Sequence, residues 1–408
     1  MAAPVNPPRG MRDLLPAEKA KREHALSVIR AVYRSHGFDE IEAPALEEYD
    51  RLHAGLGGDN EKLSYSVLRR GVGPEQWQEA TDPSALADLG LRYDLTVPLA
   101  RFYASNQAVL PAVFRAVQIG PVWRAERPQK GRYRQFVQCD IDILGEPGPI
   151  AELELIAATA AALDALGLEG AAVRINDRRI LNRLLLTWGV AEEGGPAALI
   201  TIDKLDKIGV DGVVAELGAH GVDTAGLDEA FGELATAGWD LAVDPPAWLD
   251  VEAYTDLLAL KDALPEVELV FDPTLVRGMG YYTGTIFEIA HPSSTSSLGG
   301  GGRYDGMIGR FLDREVPAVG FSIGFERIVD LLPDRTSGTV ATALLHDADV
   351  PVAALLAAKR QVGQEGGRVR LERARKNRRA QLDALAAEGF TRFAQVTAEG
   401  LGELRPLA

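Results

Sequence analysis

Residues 122–136 read VWRAERPQKGRYRQF, and the reading of the whole fold turns on this stretch. Arg124, Arg127, Lys130, Arg132 and Arg134 surround Glu126, while Pro128 and Gly131 supply a turn between two runs of strand character. A hairpin this cationic suits the grip of phosphate, because a guanidinium presents a planar fork that matches phosphate oxygens two at a time. A solvated basic hairpin making surface ion pairs accounts for the same composition equally well.

Outward from the hairpin, residues 91–95, 116–123, 133–144, 282–289 and 319–323 carry strand patterns, and 150–168 and 325–332 carry helical ones. Residues 17–36 place Ala25, Val28, Ile29, Val32 and Tyr33 at helical spacing and stop at Gly37. Residues 38–46 alternate apolar and acidic side chains as far as Pro44, which predicts a strand, and 71–89 scatter Gly, Pro, Gln and Asp as a loop does. Strands in near succession with helices gathered elsewhere predict an α+β fold, an antiparallel sheet flanked by helices, rather than a doubly wound parallel sheet. That domain is expected over 1–175 and 271–335, interrupted at 176–270 by a helical insertion rich in Ala, Leu, Glu and Asp. A small C-terminal α/β domain is expected over 338–408, alternating strand and helix at 341–345, 351–363, 368–371, 375–388 and 390–396.

Composition narrows the function. With 408 residues, 46% of them hydrophobic, the chain can bury a sizeable core and divide into two or three domains. A net charge of -16 argues against a protein that coats nucleic acid through its overall field, leaving only a local basic face. The single cysteine, Cys139, rules out an intrachain disulfide and a Cys-rich metal site, suits a reducing compartment, and reads as a small buried apolar residue. Residues 1–8 are Pro-rich without the apolar core of a signal peptide. The apolar stretch 156–168 is interrupted by Asp164 and falls short of the roughly 20 residues that cross a bilayer. A cytoplasmic protein without a membrane span is the expectation.

A second chemistry-bearing stretch, PAVGFSIGFER at 317–327, runs a glycine-spaced strand into a helix that carries Glu326 and Arg327 at its start. Gly320 and Gly324, lacking Cβ atoms, would let a flat ligand lie against the backbone. A dinucleotide-binding reading fails, since neither the Gly-x-Gly-x-x-Gly spacing nor a βαβ unit is present.

Together these segments resemble the class II aminoacyl-tRNA synthetases. Residues 122–136 are similar to motif 2, 320–327 to motif 3, and the helix and strand ending at Pro44 to motif 1, in the family's order. LVRGMGYYTGTIFE at 275–288, GGRYDG at 301–306 and PQKGRYRQ at 128–135 resemble the histidyl-tRNA synthetases in particular. The likeness covers about residues 7–333 and fades beyond. It implies ATP, accompanied by Mg²⁺, L-histidine and histidine tRNA as substrates, and a homodimer with motif 1, about residues 25–46, at the contact. Arg124 would meet the α-phosphate, Glu126 the adenine end and Arg327 the nucleotide from the far side, with Arg132 and Arg134 also at ATP. Arg277 would bridge the α-phosphate and the amino acid carboxylate. Asp94, Thr96 and Gln138 would hold the ammonium group, and Asp142, Tyr281 and Tyr282 the rest of the histidine. Gln129 and Lys130 in the hairpin, with Arg375 and Arg379 in the tail, would meet tRNA.

Singly, each of these residues has an ordinary reading: Tyr281 and Tyr282 as strand aromatics, Asp94 as a turn residue, Gln138 as a surface position. The chain also departs from the family pattern. Gly280 stands where an acidic residue is more usual, Val137 where many bacterial members have histidine, and QCDID at 138–142 is closer to the archaeal and eukaryotic form. The tail is short, and its cluster of Lys359, Arg360, Arg368, Arg370, Arg373, Arg375, Lys376, Arg378 and Arg379 fits either tRNA phosphates or a solvated helix face. Two other readings remain open: a histidine-sensing regulatory subunit of ATP phosphoribosyltransferase, and an enzyme passing an activated amino acid to a non-tRNA acceptor. Paralogues of the first kind usually lose the arginine segment and the Tyr-Tyr strand, both kept here.

Overall fold

The strand Gln135–Leu144 divides its residues cleanly, as the two-residue period of a strand requires: Cys139, Ile141 and Ile143 enter the main core, while Gln138, Asp140 and Asp142 fall on the opposite face. This strand lies near the middle of an eight-stranded sheet in the computed structural model, which describes residues 5–56, 63–129, 131–277, 280–333 and 340–407. Across the sheet the order is Asp39–Glu40, Phe114–Trp123, Gln135–Leu144, Ala318–Ile323, Ser294–Arg303, Thr285–His291, Ala172–Asp177 and Leu269–Phe271. Pairing is antiparallel except at the two edges, where Asp39 runs parallel to Ala116 and Val173 parallel to Leu269. The α+β architecture read from the sequence is therefore present.

The helices Pro16–Ser35, Ile150–Ala165 and Phe325–Leu331 pack on the apolar face, and the helical run from Arg178–Thr187 to Val251–Ala263 joins the same core through Leu184, Phe231 and Tyr254. Residues Met1–Leu332 form one compact unit and Pro333–Ala408 a second. In the second, Arg368–Arg373, Ala341–His346 and Arg392–Thr397 form a parallel core with the helices Val352–Gly363 and Arg378–Ala387.

Several expectations are corrected. Within 38–46 only Asp39–Glu40 pairs as a strand before the separate Leu46–Glu48, since Pro44 has no N–H for a ladder. The stretch 71–89 holds a helix, Pro74–Glu79, and the start of the strand Ala87–Leu91; Pro74 opens that helix and the Gln76 side chain accepts from the Gly73 N–H at 2.9 Å. Residues 92–95 therefore follow a strand rather than form one. The long strand Ser294–Arg303 was hidden by four consecutive glycines, Gly299 to Gly302. On the first helix, Ala25, Ile29 and Tyr33 are fully buried within their own chain, so that apolar stripe needs no second copy to cover it. The basic residues of the tail do not share a helix face, being divided among both helices, the Arg368–Arg373 strand and the loop after it.

Candidate active site

The polar face of the sheet floors a cleft of about 660 Å³ that gathers the hairpin, the 275–288 segment, the glycine strand and the start of the Phe325–Leu331 helix. Arginines crowd one end. The N–H of Arg124 closes the hairpin on Arg134 O at 3.0 Å, and its guanidinium donates to Tyr93 O at 3.1 Å while lying 4.3 Å over the Tyr93 ring. Arg132 sits 3.0 Å from Glu126 Oε2 without the alignment of a hydrogen bond, Arg134 donates to Glu126 O at 3.0 Å, and Gly131 takes a φ of 72° in the turn. Gln129 faces Arg132 across that turn, whereas Lys130 lies outside the described residues. Arg277 pairs with Glu288 at 2.6 Å, and Arg327 donates to the Ser297 carbonyl. Burial, then the neighbouring Arg132, push the Arg327 pKa down, with Arg277 adding to the repulsion. An anion placed among these three cations would relieve it.

Carboxylates crowd the other end. Asp94, 3% exposed, accepts from the N–H groups of Thr96 and Val97 at 3.1 and 3.2 Å through Oδ1 and leaves Oδ2 without a partner. Asp142 accepts from Tyr304 at 2.5 Å; burial raises its pKa to about 7, against the Tyr304 bond and with help from the Asp94 charge. Burial, then Asp142, push Asp140 well above the ordinary carboxylate range, and Asp94 is raised by burial against the pull of Arg124. Tyr281 and Tyr282 lie 4.9 Å apart between ring centroids, and Tyr281 meets Tyr304 edge-on at 5.9 Å.

Glycines make this packing feasible. A Cβ on Gly320 would fall on Asp142 Oδ1 and come within 3.1 Å of Tyr304, so this glycine seats a carboxylate in addition to lining the cleft. A Cβ on Gly300 would reach 2.7 Å from the Arg277 guanidinium carbon. Glu326, which shares the start of the Phe325–Leu331 helix with Arg327, is tied to Arg22 at 2.5 and 2.8 Å, to Arg12 at 2.6 Å and to the Val137 N–H at 3.0 Å.

The structure thus brings Asp94, Thr96, Arg124, Glu126, Gln129, Arg132, Gln138, Asp142, Arg277, Tyr281, Tyr282 and Arg327 to one cleft. Arg134 braces the hairpin from beside it, and Arg375 and Arg379 belong to the other unit, where both are exposed. Sequence reasoning gave no role to Tyr304, Asp140, Ser322 or Glu288. The alternation in QCDID already placed Asp140 on the face of Gln138 and Asp142, and Tyr304 lay inside the quoted GGRYDG. The corner Ile202 to Lys207, which brings the insertion to the cleft, had no signal in the sequence.

A family model described as histidyl-tRNA synthetase matches residues 10–328. The chain is 59% identical to a histidine--tRNA ligase of Leifsonia xyli over 98% of itself and 97% of that protein. It is 43% identical to a probable histidine--tRNA ligase of Tropheryma whipplei over 95% of each. The family model ends close to where the likeness was expected to fade, while the match to the Leifsonia protein extends into the tail. A solved histidyl-tRNA synthetase from Nostoc shares the fold, with a TM-score of 0.78 at 24% identity over 98% of this chain and 93% of that one. A basic hairpin, a glycine-seated arginine and a buried carboxylate pocket on one antiparallel sheet agree with that match, and the chain belongs to the histidyl-tRNA synthetase family.

Proposed function

We propose that this protein is a histidine--tRNA ligase: it activates L-histidine with ATP to histidyl-adenylate and transfers the histidyl group to the 3′ end of histidine tRNA. The observation that carries the reading is the polarity of the cleft, arginines converging at one end and buried carboxylates at the other. An amino acid lying along it directs its ammonium group to Asp94, Thr96 and Gln138 and its carboxylate to Arg277. The carboxylate attacks the α-phosphorus in line, pyrophosphate leaves, and Arg124 and Arg277 stabilise the charge that grows on the phosphoryl oxygens. Glu126 serves the adenine end, and Arg132, Arg134 and Arg327 hold the rest of the nucleotide. Mg²⁺ comes with the triphosphate; Glu126 and Glu288 give the nucleotide end the one or two carboxylates that such an ion uses beside phosphate. Asp142 and the tyrosines hold the imidazole, and an apolar side chain there would strand buried polar groups.

The protein is proposed to act as a homodimer in the cytoplasm. No helix among the described residues is long and apolar enough to cross a membrane. A monomer in sedimentation at micromolar concentration would sink the dimer. Gln129 and Lys130 are proposed to meet the tRNA acceptor end, and Arg375 and Arg379 its phosphates. Within the tail, Arg368 and Arg370 stack on Phe390 at 4.3 and 4.5 Å and Arg370 also pairs with Glu388, so tRNA contact falls to the remaining exposed cations. Histidine-dependent pyrophosphate exchange followed by charging of total tRNA tests the whole reading. Truncation after Leu332 should leave exchange nearly intact and lower charging, with a flatter salt dependence of tRNA binding. Exchange without charging by the intact chain would favour a non-tRNA acceptor, and histidine binding without exchange a sensor.

A further inference from the structure

Gln138 brings an amide with two chemically different ends to the amino-acid end of the cleft, and its neighbours decide which end faces the ligand. Its Nε2 donates to Ser322 Oγ at 3.1 Å and makes a longer contact of 3.4 Å with Asp140 Oδ2. Ser322 Oγ donates in turn to Asp140 Oδ1. Asp140 and Ser322 stand opposite each other on adjacent antiparallel strands, so the three groups close a ring held by the sheet itself. A hydroxyl has one proton, and here it is used on the carboxylate; a lone pair therefore meets the amide, which must present its NH₂. The amide carbonyl oxygen is turned the other way, buried without a partner, as is Asp94 Oδ2 on the same cleft.

Two buried acceptors lacking donors are costly to maintain, and a cation carrying several N–H donors satisfies both at once. We propose that Asp140 and Ser322 are positioning residues that lock the Gln138 amide with its oxygen toward the ligand, so that the pocket selects an amino acid by its α-ammonium group. The inference rests on the assignment of Gln138 to that group made above. Without the lock the amide is free to turn over and aim its own N–H groups at the ammonium, exchanging attraction for repulsion. An arriving cation also favours the ionised form of Asp140, which can only accept, so ligand and lock reinforce each other.

Calorimetric binding of histidine and of 3-(imidazol-4-yl)propanoate, the same molecule without its amine, to wild type, Ser322→Ala, Ser322→Thr and Asp140→Asn tests the lock. Histidine should weaken about tenfold in Ser322→Ala and Asp140→Asn, while the amine-free analogue changes less than about twofold. Ser322→Thr keeps the hydroxyl and should bind histidine as wild type does. Equal losses for the two ligands would make Asp140 and Ser322 mere pocket walls and overturn the lock, as would no loss in either variant. Wild type that binds no histidine would bring down the histidine reading itself, and this inference with it.

Discussion

At the arginine end of the cleft, proposed to take the nucleotide, each arginine has a partner of its own: Tyr93 O for Arg124, Glu126 for Arg132, Glu288 for Arg277 and Ser297 O for Arg327. At the end proposed to take the amino acid Asp94, Asp140 and Asp142 are only 3–5% exposed, and among the described residues no arginine or lysine is hydrogen-bonded to any of them. The two ends handle charge differently as a result. Guanidinium groups near solvent stay charged at any working pH, so the nucleotide end is preset. Burial makes these carboxylates hold their protons to higher pH than exposed ones, so the charge at the other end depends on pH and on what is bound.

The largest effect should come from the residue where the ends meet. Arg277→Ala removes the donor proposed to act on the transition state, and pyrophosphate exchange should fall about a hundredfold, roughly 3 kcal/mol, with ATP affinity much less changed. Exchange within about twofold of wild type would place Arg277 outside the chemistry and leave the two ends unconnected.

A middle-sized effect is expected from Gly320→Ala. Its methyl group would displace Asp142 and Tyr304, costing about 2 kcal/mol of stability and weakening histidine binding while sparing ATP binding. Equal weakening of both ligands would show that the ends are not packed independently.

The smallest is a slope. Asp142 keeps its proton up to about pH 7 when folded but only to the ordinary carboxylate range when unfolded, so its stabilising contribution is full at low pH and gone above about 7. The ligand-free protein should lose stability between about pH 4 and 7, and Asp142→Asn should make that loss shallower by about 1 kcal/mol per pH unit. Parallel profiles from denaturant titrations of the two proteins would refute the pH-dependent half of the comparison.

The two ends also differed in how far the sequence disclosed them. Arginines around a turn offered phosphate binding as one of two equal readings of the hairpin, and the resemblance decided between them. The amino-acid end was less readable, because Asp94, Gln138 and Tyr281 have ordinary readings singly, and only the fold brings 94, 138–142, 281, 304 and 322 together. Helices with a clear apolar stripe, such as Pro16–Ser35, lay close to where periodicity put them. The glycine strand was missed because glycine carries no strand signal, and the reason for those glycines lies in neighbours far along the chain: Arg277 beside position 300 and the Gly320 carbonyl beside 301.

Glu326 extends this dependence to heredity. It begins the helix that carries Arg327, yet its carboxylate is held by Arg22, 304 positions earlier, and both side chains are buried. Replacing Glu326 alone strands the Arg22 charge away from water, and replacing Arg22 alone leaves the Glu326 carboxylate to Arg12 and the Val137 N–H. The codon for Glu326 is thus bound to that for Arg22, and a lineage that alters the late end of the gene inherits a constraint at the early one.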